Sequence, residues 1–119
     1  GAEYRWMRPF YVVCAHPTRR GLFGGMLDAA ASGLKQFDVG PADAERDFID
    51  QGRFIDQLVK VTLDTQGSGV YNLCTGIPTR LDEVCNHFCH LHQVKLKLNF
   101  GRRAIPEYES ESFWGIPSI

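Results

Sequence analysis

A cysteine- and histidine-rich run, CNHFCHLH, holds the side chains whose spacing most directly suggests chemistry. Cys85, Cys89 and His92 stand at i, i+4 and i+7, so a helix would carry them on one face. Two thiolates and one imidazole can bind zinc, with Cys14 or Cys74 arriving from a strand as a fourth ligand. In the competing interpretation, Cys85 continues the apolar face of the helix and packs as a small hydrophobe. We therefore expect no metal, and a zinc-binding module remains an alternative.

The run GVYNLCTGIPTRLDEV, residues 69–84, predicts a strand that passes through a short turn into a helix. The predicted strand is Val70 to Thr75. Thr79 is the predicted N-cap of the helix, with Asp82 three residues later in the capping-box position. The helix is expected to end near Leu91. Such a turn either binds a ligand or only connects the two elements, and the run itself leaves both roles open.

The rest of the chain alternates predicted strands and helices. An apolar run from Met7 to Ala15 predicts a strand that is buried on both faces, and Pro9 within it predicts an edge or a strand start. Helical spacing of apolar residues predicts the other helices, and short or alternating apolar runs predict the other strands. The predicted helices are Leu22 to Leu34 and Gln51 to Asp64. The predicted strands are Lys35 to Val39, Arg46 to Asp50 and Val94 to Phe100. The order predicts an α/β or α+β fold.

Length and composition indicate one domain, residues 1–119, with 44% hydrophobic and 23% charged residues. The formal net charge is −1 and the basic residues are scattered, so we expect no nucleic-acid partner. No apolar run approaches the roughly 20 residues that span a bilayer, so we expect no membrane association. The chain shows no basic-then-apolar leader, and its four cysteines are typical of reduced thiols. A cytoplasmic location is the resulting expectation.

Four stretches, in the same order, resemble the C-terminal half of the extended short-chain dehydrogenase/reductases. They are MRPFYVVCAHPT (7–18), ERDFIDQGRFIDQLVKV (45–61), GVYNLCTGIPTRLDEV (69–84) and FGRRAIPEY (100–108). FWGIPS, which follows, resembles the family segment that ends in Gly-x-x-Pro. The similar family members are the NAD-dependent nucleotide-sugar epimerases and dehydratases. The Ala-His-Pro turn and the double arginine favour the UDP-galactose 4-epimerase branch.

The resemblance also indicates which family motifs this chain lacks. It contains neither Gly-x-Gly-x-x-Gly nor Gly-x-x-Gly-x-x-Gly, which the family uses to bind NAD(P). None of its four tyrosines is followed four residues later by the lysine of the catalytic Tyr-x-x-x-Lys pair. The prediction is a fragment that contains the last Rossmann strand and the substrate-binding domain, without the dinucleotide-binding half. It would bind no cofactor alone, and whether it acts as an enzyme is left open.

Because the family holds the nucleotide diphosphate with this half, the resemblance implies a set of substrate-binding residues. Arg46 matches the first phosphate-binding arginine, and Arg102 or Arg103 matches the second. Tyr11 falls where the family has a substrate-holding asparagine. The chain also departs from the family pattern at Cys14, where the family has a glycine, and at Arg53, where the family has an aspartate. The resemblance also favours a structural role for Asn72, at the centre of the strand that precedes the turn.

Two functions follow from the resemblance. The first is the substrate-binding part of a nucleotide-sugar epimerase or dehydratase, which holds the sugar nucleotide and is not catalytic alone. The second is a non-catalytic assembly module derived from that family. It would expose apolar surface that its other half once covered, and it would self-associate. The expected partners are a nucleotide sugar and either a second copy of the chain or the missing half.

Overall fold

The computed structural model describes residues 4–16, 21–63, 68–103 and 114–117, and it confirms a mixed α/β fold. Three helices and seven short strands are present in these ranges. The strands are β1 (Arg5–Pro9), β2 (Tyr11–Val13), β3 (Gln36–Asp38), β4 (Glu45–Asp50), β5 (Gly69–Leu73), β6 (Pro78–Arg80) and β7 (Lys97–Asn99). The helices are α1 (Leu22–Ala31), α2 (Gln51–Leu63) and α3 (Leu81–Leu91). Parts of the FGRRAIPEY and FWGIPS stretches lie outside the described residues, at 104–108, 113 and 118.

The strands form three small sheets. β1 pairs in parallel with β5, and β3 pairs in parallel with β7. The third sheet has the order β2–β4–β6, in which β2 and β4 are parallel and β4 and β6 are antiparallel. The parallel pairing of strands that are separated by helices is typical of α/β architecture.

The single strand predicted from Met7 to Ala15 is wrong, because the chain changes sheets at Phe10. Up to Pro9 it pairs with β5, and from Tyr11 it pairs with β4. The Phe10 N–H donates to the Leu73 carbonyl at 3.2 Å, which is the last bond to the β5 side. The predicted burial on both faces is also wrong, since Tyr11 is 38% exposed and no residue from 7 to 15 is fully buried. Pro9 ends β1, so the predicted strand start is wrong, but the predicted edge position is right, because β1 pairs with β5 alone among the described strands.

The predicted cap of α3 is wrong as well. Thr79 belongs to β6, where it pairs with Arg46, and the N-cap position is taken by Arg80 without a side-chain hydrogen bond. The Asp82 carboxylate accepts the Glu83 N–H at 2.8 Å and forms an ion pair with Arg80 at 3.0 Å. The acidic first turn therefore still complements the helix dipole, although the capping box is absent.

The main core lies between α1 and α3. Phe23 and Met26 of α1 are buried with Cys85 and Phe88 of α3, and the Phe23 and Phe88 ring centroids are 4.9 Å apart. Both helices were predicted from their apolar spacing. However, α1 ends at Ala31 and leaves Leu34 exposed, three residues before the predicted end.

Helix α2 covers one side of the β1–β5 pair. Leu73 is buried on the covered side, while Trp6 and Val70 pair with each other on the opposite, exposed side. The Asp50 carboxylate accepts the Arg53 N–H at 2.9 Å, so α2 has an acidic cap despite the unfavourable charge of Arg53. The longest described helix, α2, has 13 residues, and no described helix is long and apolar enough to cross a membrane.

Candidate functional site

The two faces of β4 carry different chemistry, because successive side chains of a strand point to opposite faces. Asp47 and Ile49 share one face, here called the back face, and both are fully buried. Arg46, Phe48 and Asp50 share the other, here called the front face. The strand therefore separates two polar sites by the thickness of one backbone.

The strand register places the predicted substrate residues Tyr11 and Arg46 together on the front face. Tyr11 pairs with Phe48 across the parallel β2–β4 ladder, and Arg46 pairs with Thr79 across the antiparallel β4–β6 ladder. Directly paired residues point to the same side of a sheet. The rings of Tyr11 and Phe48 contact each other, with centroids 5.8 Å apart. The front face thus offers aromatic surface beside a cationic side chain.

A pocket of about 590 Å³ lies between the front face and α3. This volume falls within the range of ordinary small-molecule sites, which are mostly apolar with a few polar groups. Side chains from both elements line it. They include Val13, Phe48 and Thr79 from the sheet and Glu83, His87 and Phe88 from α3. Their mixture of apolar surface and hydrogen-bonding groups is suited to an organic ligand that carries hydroxyl groups.

Arg46 is a nearly buried cation on this face, with only 7% of its surface exposed. Its Nη1 donates to the Glu45 carbonyl at 2.7 Å, which fixes one side of the guanidinium. A guanidinium has five N–H donors in a planar fork, a geometry that suits carboxylate and phosphate oxygens. Restricted water access strengthens such an interaction.

Arg102 and Arg103 lie elsewhere, after β7 and beside the β3–β7 sheet. Their backbone N–H groups both donate to the Val39 carbonyl, at 3.1 and 3.2 Å, and both residues are exposed. The Arg103 guanidinium lies over the Phe37 ring, 5.9 Å from its centroid. The structure therefore gathers Tyr11 and Arg46 on one sheet and places the double arginine on another.

The back face of β4 contains a buried carboxylate that sequence reasoning missed. Asp47 Oδ1 accepts the backbone N–H and the hydroxyl of Thr75, both at 2.8 Å. Asp47 Oδ2 accepts the N–H of Gly76 at 2.7 Å and that of Gly115 at 3.2 Å. The available signal was an aspartate within a strand otherwise rich in buried residues, a place where this residue type is disfavoured.

These hydrogen bonds keep Asp47 charged. Burial acts to raise the pKa of its carboxyl, but the donors from Thr75, Gly115 and Gly76 together hold that pKa below its ordinary value. The turn after β5 is therefore organised around a carboxylate. Asn72 contributes to the same region, because its side chain accepts from Arg8 Nε at 2.9 Å and donates to the Ile116 carbonyl at 3.0 Å.

The structure gives no geometric support for the zinc alternative. Burial raises the pKa of Cys85 to about 12 and also raises that of Cys89, which disfavours the thiolates that a metal needs. The His92 ring packs on Phe88 with centroids 4.5 Å apart. Within the described ranges, no three His, Cys, Asp or Glu side chains are grouped to hold a metal ion.

The sequence near α1 does not have the glycine pattern of a dinucleotide-binding turn. The segment that leads into α1 has glycines at 21, 24 and 25, a spacing that differs from the phosphate-binding turns of Rossmann folds. Cys14, next to this segment, donates its thiol to Gln51 Oε1 at 3.7 Å. No step of a reaction is therefore assigned to a cofactor on this chain.

No protein-family model matches the sequence. A curated relative, the dTDP-6-deoxy-L-talose 4-dehydrogenase (NAD(+)) of Aggregatibacter actinomycetemcomitans, is 23% identical over 93% of this chain and 41% of its own length. The chain thus spans less than half of that relative.

Two solved structures are similar to this fold. A UDP-N-acetylglucosamine 4-epimerase from Methanobrevibacter ruminantium in complex with UDP-N-acetylmuramic acid matches with a TM-score of 0.73 and 12% identity, over 98% of this chain and 38% of that one. The Bordetella bronchiseptica enzyme WbmG in complex with NAD and UDP matches with a TM-score of 0.68 and 21% identity, over 96% and 36%. The chain therefore has an NAD-dependent nucleotide-sugar epimerase/dehydratase-like fold, matched over somewhat more than a third of those enzymes.

Proposed function

We propose that this chain is the part of a nucleotide-sugar epimerase or dehydratase that holds the sugar nucleotide. The observation that carries the proposal is the front face of β4. Tyr11 and Arg46 share this face of one sheet, and their strand partners Phe48 and Thr79 line the 590 Å³ pocket. The structural neighbours named above were solved with a UDP-sugar or with UDP, which supports the same class of ligand.

Each part of the front face has a matching chemical task. Arg46 pairs with the diphosphate, because a guanidinium binds two phosphate oxygens at once and stays charged. The contacting rings of Tyr11 and Phe48 offer a surface for an apolar or planar part of the ligand. Thr79, Glu83 and His87 accept or donate hydrogen bonds to hydroxyl groups. Arg102 or Arg103 supplies the second phosphate contact, from the neighbouring sheet.

The proposal assigns no catalytic residue to the chain. Its tyrosines lack the partner lysine of the resembled family, and the sequence near α1 lacks the glycine pattern of a dinucleotide-binding turn. The matched enzymes are more than twice as long, so in this proposal the hydride chemistry belongs to sequence that this chain does not contain. That sequence would be supplied by a longer protein or by a separate partner.

Calorimetric titration with UDP and UDP-glucose at low salt tests the proposal. The wild-type chain should bind saturably, and Arg46→Met should weaken binding roughly 10- to 100-fold through the loss of a charge-assisted pair. Arg80→Met is the matched control, because Arg80 is an exposed arginine on the neighbouring strand that is paired with Asp82. Equal affinities of the two variants, or no binding by the wild type, would refute the proposal.

A self-associating assembly module is the second candidate, and a specific surface favours it. Tyr4, Trp6 and Val70 expose large apolar side chains on the uncovered side of the β1–β5 pair. Parallel sheets are normally covered on both faces, so we expect a partner to cover this surface. Sedimentation of the wild type and of Trp6→Arg distinguishes the candidates. A dimer that the substitution dissociates supports assembly, and a monomeric wild type excludes it.

A further inference from the structure

Helix α2 carries a row of exposed apolar side chains, here called the outer stripe. Ile55, Val59 and Leu63 stand at i, i+4 and i+8, and they are 46%, 49% and 74% exposed. Residues at this spacing share one face of a helix. The opposite face carries Gln57 and Val61, which are buried where α2 packs on β1, β4 and β5. The outer stripe is therefore a second face of α2, directed away from the sheet.

The two borders of the outer stripe differ in polarity. Asp56 and Lys60, both exposed, follow the stripe on one side at the spacing i, i+4. On the other side Leu58 is half-buried, and the Thr62 hydroxyl donates to the Leu58 carbonyl at 2.8 Å. That hydroxyl is therefore satisfied within the helix. The stripe thus has one charged border and one border of low polarity.

The charged border is complementary to itself. Each residue of an α-helix rises about 1.5 Å along the helix axis. When two antiparallel copies of α2 are related by a two-fold axis at the level of Leu58, Asp56 of each copy stands at the height of Lys60 of the other. This follows because both residues lie two positions from Leu58. A two-fold axis also brings the same border of both copies together, so opposite charges face each other twice.

The same arrangement interleaves the apolar side chains. Ile55, Val59 and Leu63 of the two copies then alternate along the contact at intervals of about 3 Å. Apolar side chains that alternate in this way can fill the spaces between those of the facing helix. The charged border and the outer stripe therefore fit one arrangement, and its occupant is a second copy of this chain. Two helices of 13 residues make a small contact, so we expect reversible association that depends on concentration.

We propose that α2 forms a homodimer contact, in which two copies of the chain pack their outer stripes antiparallel about a two-fold axis at Leu58. This surface is separate from the one that contains Trp6 and Val70, because α2 covers the other side of the β1–β5 pair. The inference rests on α2 alone. It stands whether or not the front face of β4 binds a nucleotide sugar, which the titration with UDP tests separately.

Sedimentation velocity of the full chain at about 5 to 500 µM tests the outer stripe. The wild type should change from monomer to dimer as its concentration rises. Val59→Arg places a charge at the centre of the contact and should raise the dissociation constant at least about tenfold. Val70→Arg is the matched control, because Val70 of β5 is 52% exposed, nearly as Val59 is, and lies outside the stripe.

Two results of this experiment would overturn the proposal. A dimer that Val70→Arg dissociates and Val59→Arg does not would assign self-association to the β1–β5 surface. A wild type that stays monomeric over the whole range would leave the outer stripe to a partner other than a second copy.

Mixing two charge variants tests whether the facing border belongs to a second copy. Asp56→Lys and Lys60→Asp should each weaken self-association, because like charges then face each other. An equimolar mixture at low salt should associate at least about fivefold more tightly than either variant alone, because the mixed dimer faces only opposite charges. An ion pair within one helix would give no such rescue. Both residues are exposed, so both variants should fold. A mixture that associates no better than its components would overturn the proposal.

Discussion

The charged side chains on the two faces of β4 lie in different surroundings. On the back face, the Asp47 carboxylate is surrounded by four donors from a turn and a distant segment of the same chain. On the front face, Phe48 and Thr79, which neighbour Arg46 on the sheet, line a pocket of about 590 Å³. The carboxylate of Asp47 is surrounded by donors of the chain itself, whereas the front face borders space for a ligand. One face of β4 therefore holds the fold, and the other forms part of a pocket.

Removing the back-face carboxylate should produce the largest loss of stability. Asp47→Ala leaves the N–H groups of Thr75, Gly76 and the buried Gly115 without an acceptor, which should cost about 3 kcal/mol in the free energy of unfolding. Urea denaturation measures the loss. Asp56→Ala is the control, because this exposed aspartate of α2 should change stability by about 0.5 kcal/mol or less. Similar losses for the two variants would contradict the structural role of Asp47.

The turn that Asp47 organises should be sensitive to a single methyl group. Gly76→Ala combines left-handed strain at φ of 78° with a 2.8 Å approach to Pro117, and it should cost about 1–3 kcal/mol. Gly101→Ala provides the control, since Gly101 has nearly the same φ, 79°, and open space around the added carbon. The difference between their denaturation midpoints reports the contact with the segment at 117. No difference would mean that this contact is not made in solution.

Lowering the pH should remove the stabilisation that Asp47 contributes on the back face. The pKa of Asp47 is held below its ordinary value of 3.8, so the folded state favours the charged form. The resulting stabilisation is fully present above that ordinary value and is lost as the pH falls through the lower folded-state pKa. Urea midpoints measured from neutral to acid pH should therefore fall more steeply in the wild type than in Asp47→Asn, which lacks the titrating group. Parallel curves would contradict this assignment.

The front face should be the least important for stability. Arg46→Met removes the hydrogen bond from the guanidinium to the Glu45 carbonyl, and it should lower the free energy of unfolding by about 1.5 kcal/mol, half the loss expected for Asp47→Ala. Denaturation in urea, beside Asp47→Ala, tests this difference between adjacent residues. A loss as large as that of Asp47→Ala would show that Arg46 also holds the fold, and the contrast between the two faces would then fail.

Local patterns predicted the helices well, but they missed the break in the first strand and the start of the last helix. The predicted α2 begins at the observed residue, because its apolar spacing is regular over the whole helix. The sequence did not indicate the break at Phe10, because an apolar run has the same pattern whether it belongs to one sheet or to two. Its position depends on β5 and β4, which are distant in sequence. Thr79 looked like a cap for a similar reason, because its pairing with Arg46 is a long-range contact.

The candidate site was predicted in part. Resemblance to a family singled out Tyr11 and Arg46, and the strand register then placed them on one face, although their binding role stays a prediction. Asp47 was missed because its donors lie 28, 29 and 68 residues away along the chain. A single sequence does not reveal which buried carboxylate will meet which backbone amides after folding.

Mapping the binding of UDP by amide chemical shifts tests the separation of the two faces most directly. The account predicts that UDP shifts the amides of Tyr11, Phe48 and Thr79 on the front face. Those of Thr75, Gly76 and Gly115 on the back face should stay where they are. Shifts concentrated on the back face, or no shifts on either, would contradict the claim that β4 holds the fold with one face and binds the nucleotide with the other.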